Sequence, residues 1–495
     1  MFETAYNFFC NSYKSLRNKV IGHYTGLRSL YLFVNIINHA KYILNNNLYN
    51  DAEELDKLKT KILNCGCIGI KFTQWIIAKI KGTDKNNKYK VLLKTFEGIF
   101  DDCGYHDIEH TKEIFENDFK KKIEDIFDMN DFNVIASGSI GQVYKTRFIK
   151  EPSVINNEDY NKKDVCIKIR HPYLDYIKSY QMILIYFIIC LQYFSYFKKK
   201  YCLHFNLYDF IDNINNQIDF NIEAFNNIKM YESYKDNEYI VVPKVHNFSR
   251  NIIVSSFEEG IEFDTISEYQ QCKVALNMLC LTYNMALIDN FMHGDLHLKN
   301  WKIRPYKKFY KIVLYDFGIC FKGPNREFSD KLIFYCETQN IKKLIELFLE
   351  DTCFTSNKEV LIEELFNTFN SICLEPLNMN AVYTKLIYVF SSYNLIVNNL
   401  FLNIILFFCL VEDMWKKTNI MCQDLTGTDL DISSIFKNQK LDVISFCKTY
   451  DIYPELVILL EEQLEKYGKE EYFKKTEPLD IYKISHLTFL NPDDI

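Results

Sequence analysis

Three oxygen-bearing side chains at fixed intervals constrain this chain more than any other feature. Asp295 and Asn300 stand five positions apart in Phe291-Met-His-Gly-Asp-Leu-His-Leu-Lys-Asn300, and Asp316 follows sixteen positions later in Leu314-Tyr-Asp-Phe-Gly318. Phosphoryl transfer needs one carboxylate facing the attacking oxygen, with an amide and a second carboxylate holding Mg²⁺ against the nucleotide phosphates. The same chemistry demands a lysine, an acidic partner for it and a turn that covers phosphate. All three occur upstream, in kinase order.

The turn is Ser137-Gly-Ser-Ile-Gly-Gln142, between two stretches with strand character. Small residues there let backbone N–H groups approach phosphate oxygens without Cβ clashes. By itself the turn also suits an ordinary hairpin. Lys168 lies in Val-Cys-Ile-Lys-Ile, a buried-strand pattern in which an unpaired ammonium is costly. Either it is a point charge on the α/β-phosphates held by a helix glutamate, or an edge-strand lysine reaching solvent. Glu223, on an expected helix between Lys168 and the next strands, is the best acidic partner. Mg²⁺ favours the hard oxygens of Asn300 and Asp316. His293, Asp295 and His297 could instead form a transition-metal cluster, although His293 suits a bracing role in the loop.

Composition narrows the remaining classes. At 495 residues the chain has room for two or three domain-sized units. A net charge of −7 argues against nucleic acid as partner, since phosphate backbones attract clustered Lys and Arg. Sixteen cysteines without a regular framework point to reduced thiols in a cytosol-like compartment. No signal peptide is evident at Met1-Phe-Glu-Thr, so a cytoplasmic or peripheral-membrane location is expected. Met182 to Phe197 is apolar but falls short of the ~20 residues of a spanning helix, and reads as a buried or membrane-grazing helix. Asn399 to Val411 reads as core.

Apolar spacing predicts helices over residues 1–130, including Leu30 to Leu44, Glu53 to Asn64 and Ile68 to Ile80, with a loop over Lys81 to Lys88. Strands are expected from Phe132, from Gln142 and over Val165 to Ile169, then helices from Tyr173 to about Tyr234. Further strands are expected at Tyr239 and Ile252, and a turn at Glu258-Glu-Gly260. Beyond Asp264 the pattern is helical, interrupted by the two motif loops. The expected fold is therefore α+β and bilobal, protein-kinase-like, with a small β-rich lobe and a helical one. The divisions are a helical N-terminal extension (1–130), a small lobe with a helical insertion (131–260), a large lobe (261–420) and a C-terminal helical tail (421–495).

Taken together, Lys71-Phe-Thr-Gln74, Ala136-Ser-Gly-Ser-Ile-Gly-Gln-Val143, Val165-Cys-Ile-Lys-Ile-Arg-His-Pro172, Gln217-Ile-Asp-Phe-Asn-Ile-Glu-Ala224, the Asp295–Asn300 loop and Asp316-Phe-Gly318 resemble the UbiB/ADCK (aarF) atypical kinases. The resemblance covers roughly residues 60–420. It implies ATP and Mg²⁺ as cofactors, ATPase activity and support of ubiquinone or other isoprenoid-lipid metabolism at membranes, with a lipid surface as a further partner. It assigns Ser137, Gly138, Ser139, Ile140, Gly141, Gln142, Val143 and Lys168 to the nucleotide, Asp295, Lys168 and Glu223 to catalysis, and Asn300 and Asp316 to the metal. Lys71 and Gln74, three apart on one helical face, correspond to a signature helix folded over the site. Three departures stand out: Thr73 replaces the signature glycine, Gln217 replaces a glutamate that could pair with Lys71, and Gly138 replaces an alanine in the phosphate turn. The main reading is an atypical kinase or ATPase. Alternatives are a small-molecule phosphotransferase of the aminoglycoside/choline kinase type and a non-catalytic nucleotide-dependent binding module.

Overall fold

The computed structural model describes residues 2–83, 88–96, 104–149, 164–192, 207–283, 285–286, 289–307, 309–323, 327–328, 331, 335, 340–350, 358–373, 386 and 389. The stretch 399–411 and the expected tail lie outside the described residues. The chain divides into two units: residues through Ile222 with His246–Ser256, and Glu223–Val245 with the described residues from Phe257 onward.

The first unit begins with the helices that the apolar spacing predicts: α1 (Phe2–Asn45), α2 (Ala52–Cys65), α3 (Cys67–Thr83), α4 (Lys90–Phe96) and α5 (Ile108–Phe119). Helix α2 shows why the sequence signals hold. The Asp51 carboxylate caps its start by accepting the N–H groups of Glu53 and Glu54 at 3.0 and 3.1 Å. Leu55, Leu58, Ile62 and Cys65 then form a buried stripe at helical spacing. The first three residues of the loop expected over Lys81 to Lys88 belong instead to α3, which continues to Thr83, and 84–87 lie outside the described residues.

Five strands form the sheet of this unit, in the order β1 (Asn133–Ser137), β2 (Gly141–Arg147), β3 (Asp164–Arg170), β6 (Ile252–Ser256) and β5 (Val245–Phe248). β1–β2, β2–β3 and β3–β6 are antiparallel. Val165, Ile167 and Ile169 alternate along β3 into a core with Phe115, Phe127, Tyr144, Ile252 and Val254. Lys168, one residue out of phase, takes the opposite face. β3 is the central strand, so the edge-strand alternative for Lys168 fails. Helices α6 (Leu174–Gln192), α7 (Leu207–Ile218) and α8 (Phe220–Tyr234) follow, α8 crossing into the second unit. Along α6, Met182 and Ile185 are buried while Ile183, Tyr186 and Phe187 are exposed. No helix among the described residues is long and apolar enough to cross a membrane.

The second unit departs from expectation. It contains β4 (Ile240–Val241), α9 (Glu268–Tyr283), four strands β7 (Phe291–His293), β8 (Trp301–Tyr306), β9 (Phe309–Leu314) and β10 (Cys320–Lys322), then α10 (Ile341–Phe348) and α11 (Lys358–Cys373). The helical reading beyond Asp264 is thus corrected: the flanks of both motif loops are strands. Their aromatic and β-branched residues favour an extended pleat, and β8 alternates buried and half-buried positions over Trp301–Arg304. β8 pairs antiparallel with β9, which pairs parallel with β4, while β7 and β10 form a separate two-stranded ladder. Beneath them Met278, Trp301, Leu314 and Phe317 share one hydrophobic core. Helices with largely antiparallel sheets make the fold α+β, as expected.

Candidate active site

In the first unit, the turn between β1 and β2 is drawn tight by Gly138 N–H donating to Gly141 O at 3.0 Å. Its other two carbonyl connections run to His171, which donates its backbone N–H to Ile140 O at 2.9 Å and holds Gly138 O at 2.9 Å through Nε2. The Ser137 hydroxyl donates to Gly104 O at 2.5 Å. Among the described residues the amides of Ser139 and Ile140 donate to no backbone carbonyl, so they remain free to donate to an anion.

The two glycines of the turn differ in kind. A Cβ on Gly141 would lie 2.7 Å from Ile169 O and 2.9 Å from the Phe220 ring, whereas on Gly138 the nearest atom, Gly141 O, is 3.9 Å away. Gly138→Ala, which restores the residue implied by the resemblance, is expected to stabilise the chain by ~0.4–1 kcal/mol through the unfolded state. Gly141→Ala is expected to cost ~1–3 kcal/mol, because strand backbone must shift. Denaturation midpoints of the two variants, moving in opposite directions, check both.

Lys168 lies directly opposite Val143 in the β2–β3 register, on the sheet face away from the core. It is half-buried, with Nζ 5.2 Å from the centroid of the Phe220 ring. Gln142 is turned the other way. Its amide accepts His106 N–H at 2.9 Å and donates to the Tyr144 hydroxyl at 2.7 Å, both on the core side. Lys71 and Gln74 are half-buried on α3. Thr73 between them donates its hydroxyl to Gly69 O at 2.8 Å, filling the signature-glycine position with a self-bonded side chain. Gln217, at the end of α7, is buried.

In the second unit, two ladders fix the motif loops. Tyr315 N–H donates to Asn300 O at 2.8 Å at the open end of the β8–β9 hairpin, and Gly294 N–H donates to Ile319 O at 2.8 Å beside the β7–β10 pair. The sixteen positions between Asn300 and Asp316 are therefore a hairpin that doubles back. Asn300 is buried, and its Nδ2 donates to Asp295 O at 2.9 Å and to Asp295 Oδ2 at 3.2 Å. With the nitrogen committed, Oδ1 is the amide atom left to ligate a cation. Asp316 is exposed, adopts a left-handed φ of 53° and accepts Gly318 N–H at 3.2 Å. Aspartate is among the few side chains that tolerate this backbone conformation, which recurs at functional loops.

His293 is fully buried and has no nitrogen to spare. Nε2 faces the Tyr315 carbonyl at 3.0 Å and must donate, which leaves Nδ1 to accept Asp295 N–H at 3.2 Å. Burial pushes its pKa below the usual imidazole value, keeping it neutral. The transition-metal alternative fails on these bonds, and His293 is the loop brace. Among the described residues no three His, Cys, Asp or Glu side chains are grouped to hold a metal. A protein that offers two oxygens and takes the rest from phosphate suits Mg²⁺.

Glu223 is buried in the first turn of α8. Its carboxylate and that of Asp316 both help raise the pKa of the Cys320 thiol, after desolvation as the larger cause, so the two acids share that neighbourhood. Three residues on, Asn226 donates from Nδ2 to Phe317 O at 2.9 Å and ties α8 to the Asp-Phe-Gly segment. Asn226 was not singled out from sequence, although its spacing from Glu223 places both on one helical face. A second anchor is Tyr315, whose hydroxyl donates to Glu258 O at 2.6 Å, while Arg304 reaches Glu258 Oε2 at 2.8 Å. These bonds pin the residue before Asp316 to the expected Glu258–Gly260 turn.

Comparison with known proteins finds a match of residues 98–347, half of the chain, to the family described as ABC1 atypical kinase-like domain. A probable serine/threonine-protein kinase abkC of Dictyostelium discoideum is 28% identical over 48% of this chain and 33% of its own length. A probable protein kinase UbiB of Haemophilus ducreyi is 23% identical over 39% of this chain and 36% of its own. The mitochondrial ABC1 family protein C21C3.03 of Schizosaccharomyces pombe is 21% identical over 58% and 44%. The chain thus spans well under half the length of these relatives. Among solved structures, the Rv3197–erythromycin complex of Mycobacterium tuberculosis aligns over 65% of this chain and 83% of that one, with 15% identity and a TM-score of 0.41.

Proposed function

Because this chain belongs to the family of ABC1 atypical kinase-like domains, we propose that it binds ATP with Mg²⁺ and transfers or hydrolyses the terminal phosphoryl group. Lys168 places its ammonium on the α/β-phosphates, and Glu223 is the acidic residue of the catalytic set. The amides of the Ser137–Gly141 turn cover the phosphates, with Val143 on the adjoining sheet face. Asn300 and Asp316 take the metal, which when bound would neutralise charge on the phosphate oxygens. Asp295 orients the attacking hydroxyl or water and accepts its proton. Lys71 and Gln74 keep the covering role that the resemblance implies, and the reaction serves isoprenoid-lipid or quinone metabolism at a membrane surface.

The observation that supports this reading most is the pair of hydrogen bonds that Asn300 Nδ2 donates to Asp295, with Asn300 tied through its carbonyl to the residue before Asp316. Asp295 and Asn300 are thus held in one network, and the backbone of the residue before Asp316 is tied to it, while Asn300 Oδ1 is left over by these bonds. The test is thermal stabilisation by ATP with and without Mg²⁺, in the native chain and in Lys168→Ala. A ligand at a hundred times its Kd stabilises by ~2.7 kcal/mol, and Lys168→Ala is expected to lose most of that. Equal stabilisation of both proteins would overturn the assignment. ATP hydrolysis measured with and without anionic liposomes and phenolic quinone precursors tests the link to lipid metabolism.

A further inference from the structure

Under the phosphate turn lies a histidine cluster that the assignments above leave unused. His106 Nδ1 is 2.8 Å from His171 Nδ1, His106 Nε2 is 3.0 Å from the Thr111 hydroxyl, and that hydroxyl is 2.7 Å from the Tyr144 hydroxyl. Gln142 Nε2 donates to Tyr144 at 2.7 Å, and Gln142 Oε1 accepts the backbone N–H of His106 at 2.9 Å. At the other end His171 Nε2 meets Gly138 O at 2.9 Å.

Only one arrangement of protons satisfies this chain. A carbonyl can only accept, so His171 carries its proton on Nε2 and its Nδ1 is an acceptor. His106 must then donate from Nδ1, leaving its Nε2 to accept from Thr111. Thr111 in turn accepts from Tyr144, and Tyr144 accepts from Gln142, whose orientation is fixed by the backbone N–H of His106. Every bond points the same way and both imidazoles are neutral. A proton added to His171 Nδ1 would set N–H against N–H. Relief requires His106 to switch tautomer and Thr111 and Tyr144 to reverse, after which the Tyr144 proton faces the Gln142 NH₂ group instead of an acceptor.

The geometry points to neutral His171 as a positioning residue for the phosphate turn. Through its ring and its backbone N–H it occupies the carbonyls of Gly138 and Ile140, so that the turn offers a phosphate its amides instead of its carbonyl oxygens. The assignment of a phosphate to this turn rests on the proposed function, whereas the anchoring of the turn does not. Of the other ionisable groups around the pair, His110 of α5 acts on both rings, Glu113 of α5 acts on His110, and Tyr144 of β2 lies against the His106 ring. The His110 ring is 4.9 Å from that of His106, its Nε2 holds Arg170 O at 3.1 Å, and the Arg170 guanidinium is paired to Asp175 at 2.7 Å. Desolvation lowers the pKa of His171, His110 and His106, the last to about 3. An imidazole held neutral in the fold contributes stability that is present above its unfolded value of ~6.5 and is lost as pH falls below it.

The test is nitrogen NMR of the full chain labelled at its histidines, joined to hydrogen exchange of the 137–143 amides. His171 is expected as the neutral Nε2–H tautomer and His106 as the neutral Nδ1–H tautomer at pH 6.5. The opposite tautomer at either residue, or an imidazolium there, overturns the proposal without any variant being made. His171→Ala is expected to speed exchange of the hydrogen-bonded amides in 137–143, Gly138 among them, about tenfold, the loss of one well-made hydrogen bond, and His171→Gln, which keeps a donor, to recover most of it. Exchange unchanged in His171→Ala, or raised equally across the sheet, would also overturn the proposal. Native protein that shows these tautomers yet binds no ATP·Mg²⁺ would support the anchoring and remove the ATP assignment alone.

Discussion

Replacing Asp316 by asparagine is expected to abolish the Mg²⁺-dependent part of ATP stabilisation while leaving the fold intact. The two halves of this expectation come from different properties of one residue. Asp316 holds a left-handed φ of 53°, and asparagine tolerates that conformation as well as aspartate does. Its Oδ1 accepts Gly318 N–H at 3.2 Å, a bond an asparagine oxygen can keep. The side chain is exposed, so no core is disturbed. What disappears is the negative charge proposed to face the metal. At saturating ATP·Mg²⁺ the loss should amount to the Mg²⁺-dependent share of a total ligand contribution of ~2.7 kcal/mol at a hundred times Kd, with turnover below detection. Melting temperatures with ATP and Mg²⁺, or with ATP and a chelator, separate the two halves. Undiminished Mg²⁺-dependent stabilisation in Asp316→Asn would remove the metal assignment.

Trp301→Ala is expected to show the converse, a large loss of stability that carries metal binding away with it. Trp301 follows Asn300, is 2% exposed and meets the Phe263 ring at 5.4 Å. It shares a core with Met278, Leu314 and Phe317, which places the floor of the site under both motif loops. Truncating a buried tryptophan costs ~3–5 kcal/mol in transfer and cavity terms. Asn300 then loses the neighbour that fixes the start of β8. Urea midpoints should fall sharply in Trp301→Ala and far less in Trp301→Phe, which keeps an aromatic ring in the core. A midpoint within experimental error of the native chain would show that this core does not support the site.

The parts of this protein that were legible in its sequence are those fixed over short distances. Lys168 could be placed because its strand alternates, with Ile167 and Ile169 in the core and the lysine between them. The brace role of His293 followed from its loop, and the bonds to Tyr315 and Asp295 bear it out. The β8–β9 hairpin was not legible. Hairpins announce themselves through glycine or Asn-Gly at the turn, whereas here the positive φ of 51° falls on Lys307 in a lysine-rich tip. Long-range bonds left no local trace either. Asn226 meets Phe317 across 91 positions and His106 meets His171 across 65. Nothing in the composition near one predicts the other, because such pairs are chosen by packing after the strands have formed.

Asn300 and Asp316 sit together at the open mouth of the β8–β9 ladder, and Lys307 sits at its closed end. Six residues of strand separate the two ends, a span of about 20 Å at the usual rise. Peptide inserted at the tip would therefore ride on a stalk without altering the interval between the two donors at the base. Lys307 is thus a natural handle for attaching a fluorophore or an affinity label, well clear of the two residues proposed to take the metal.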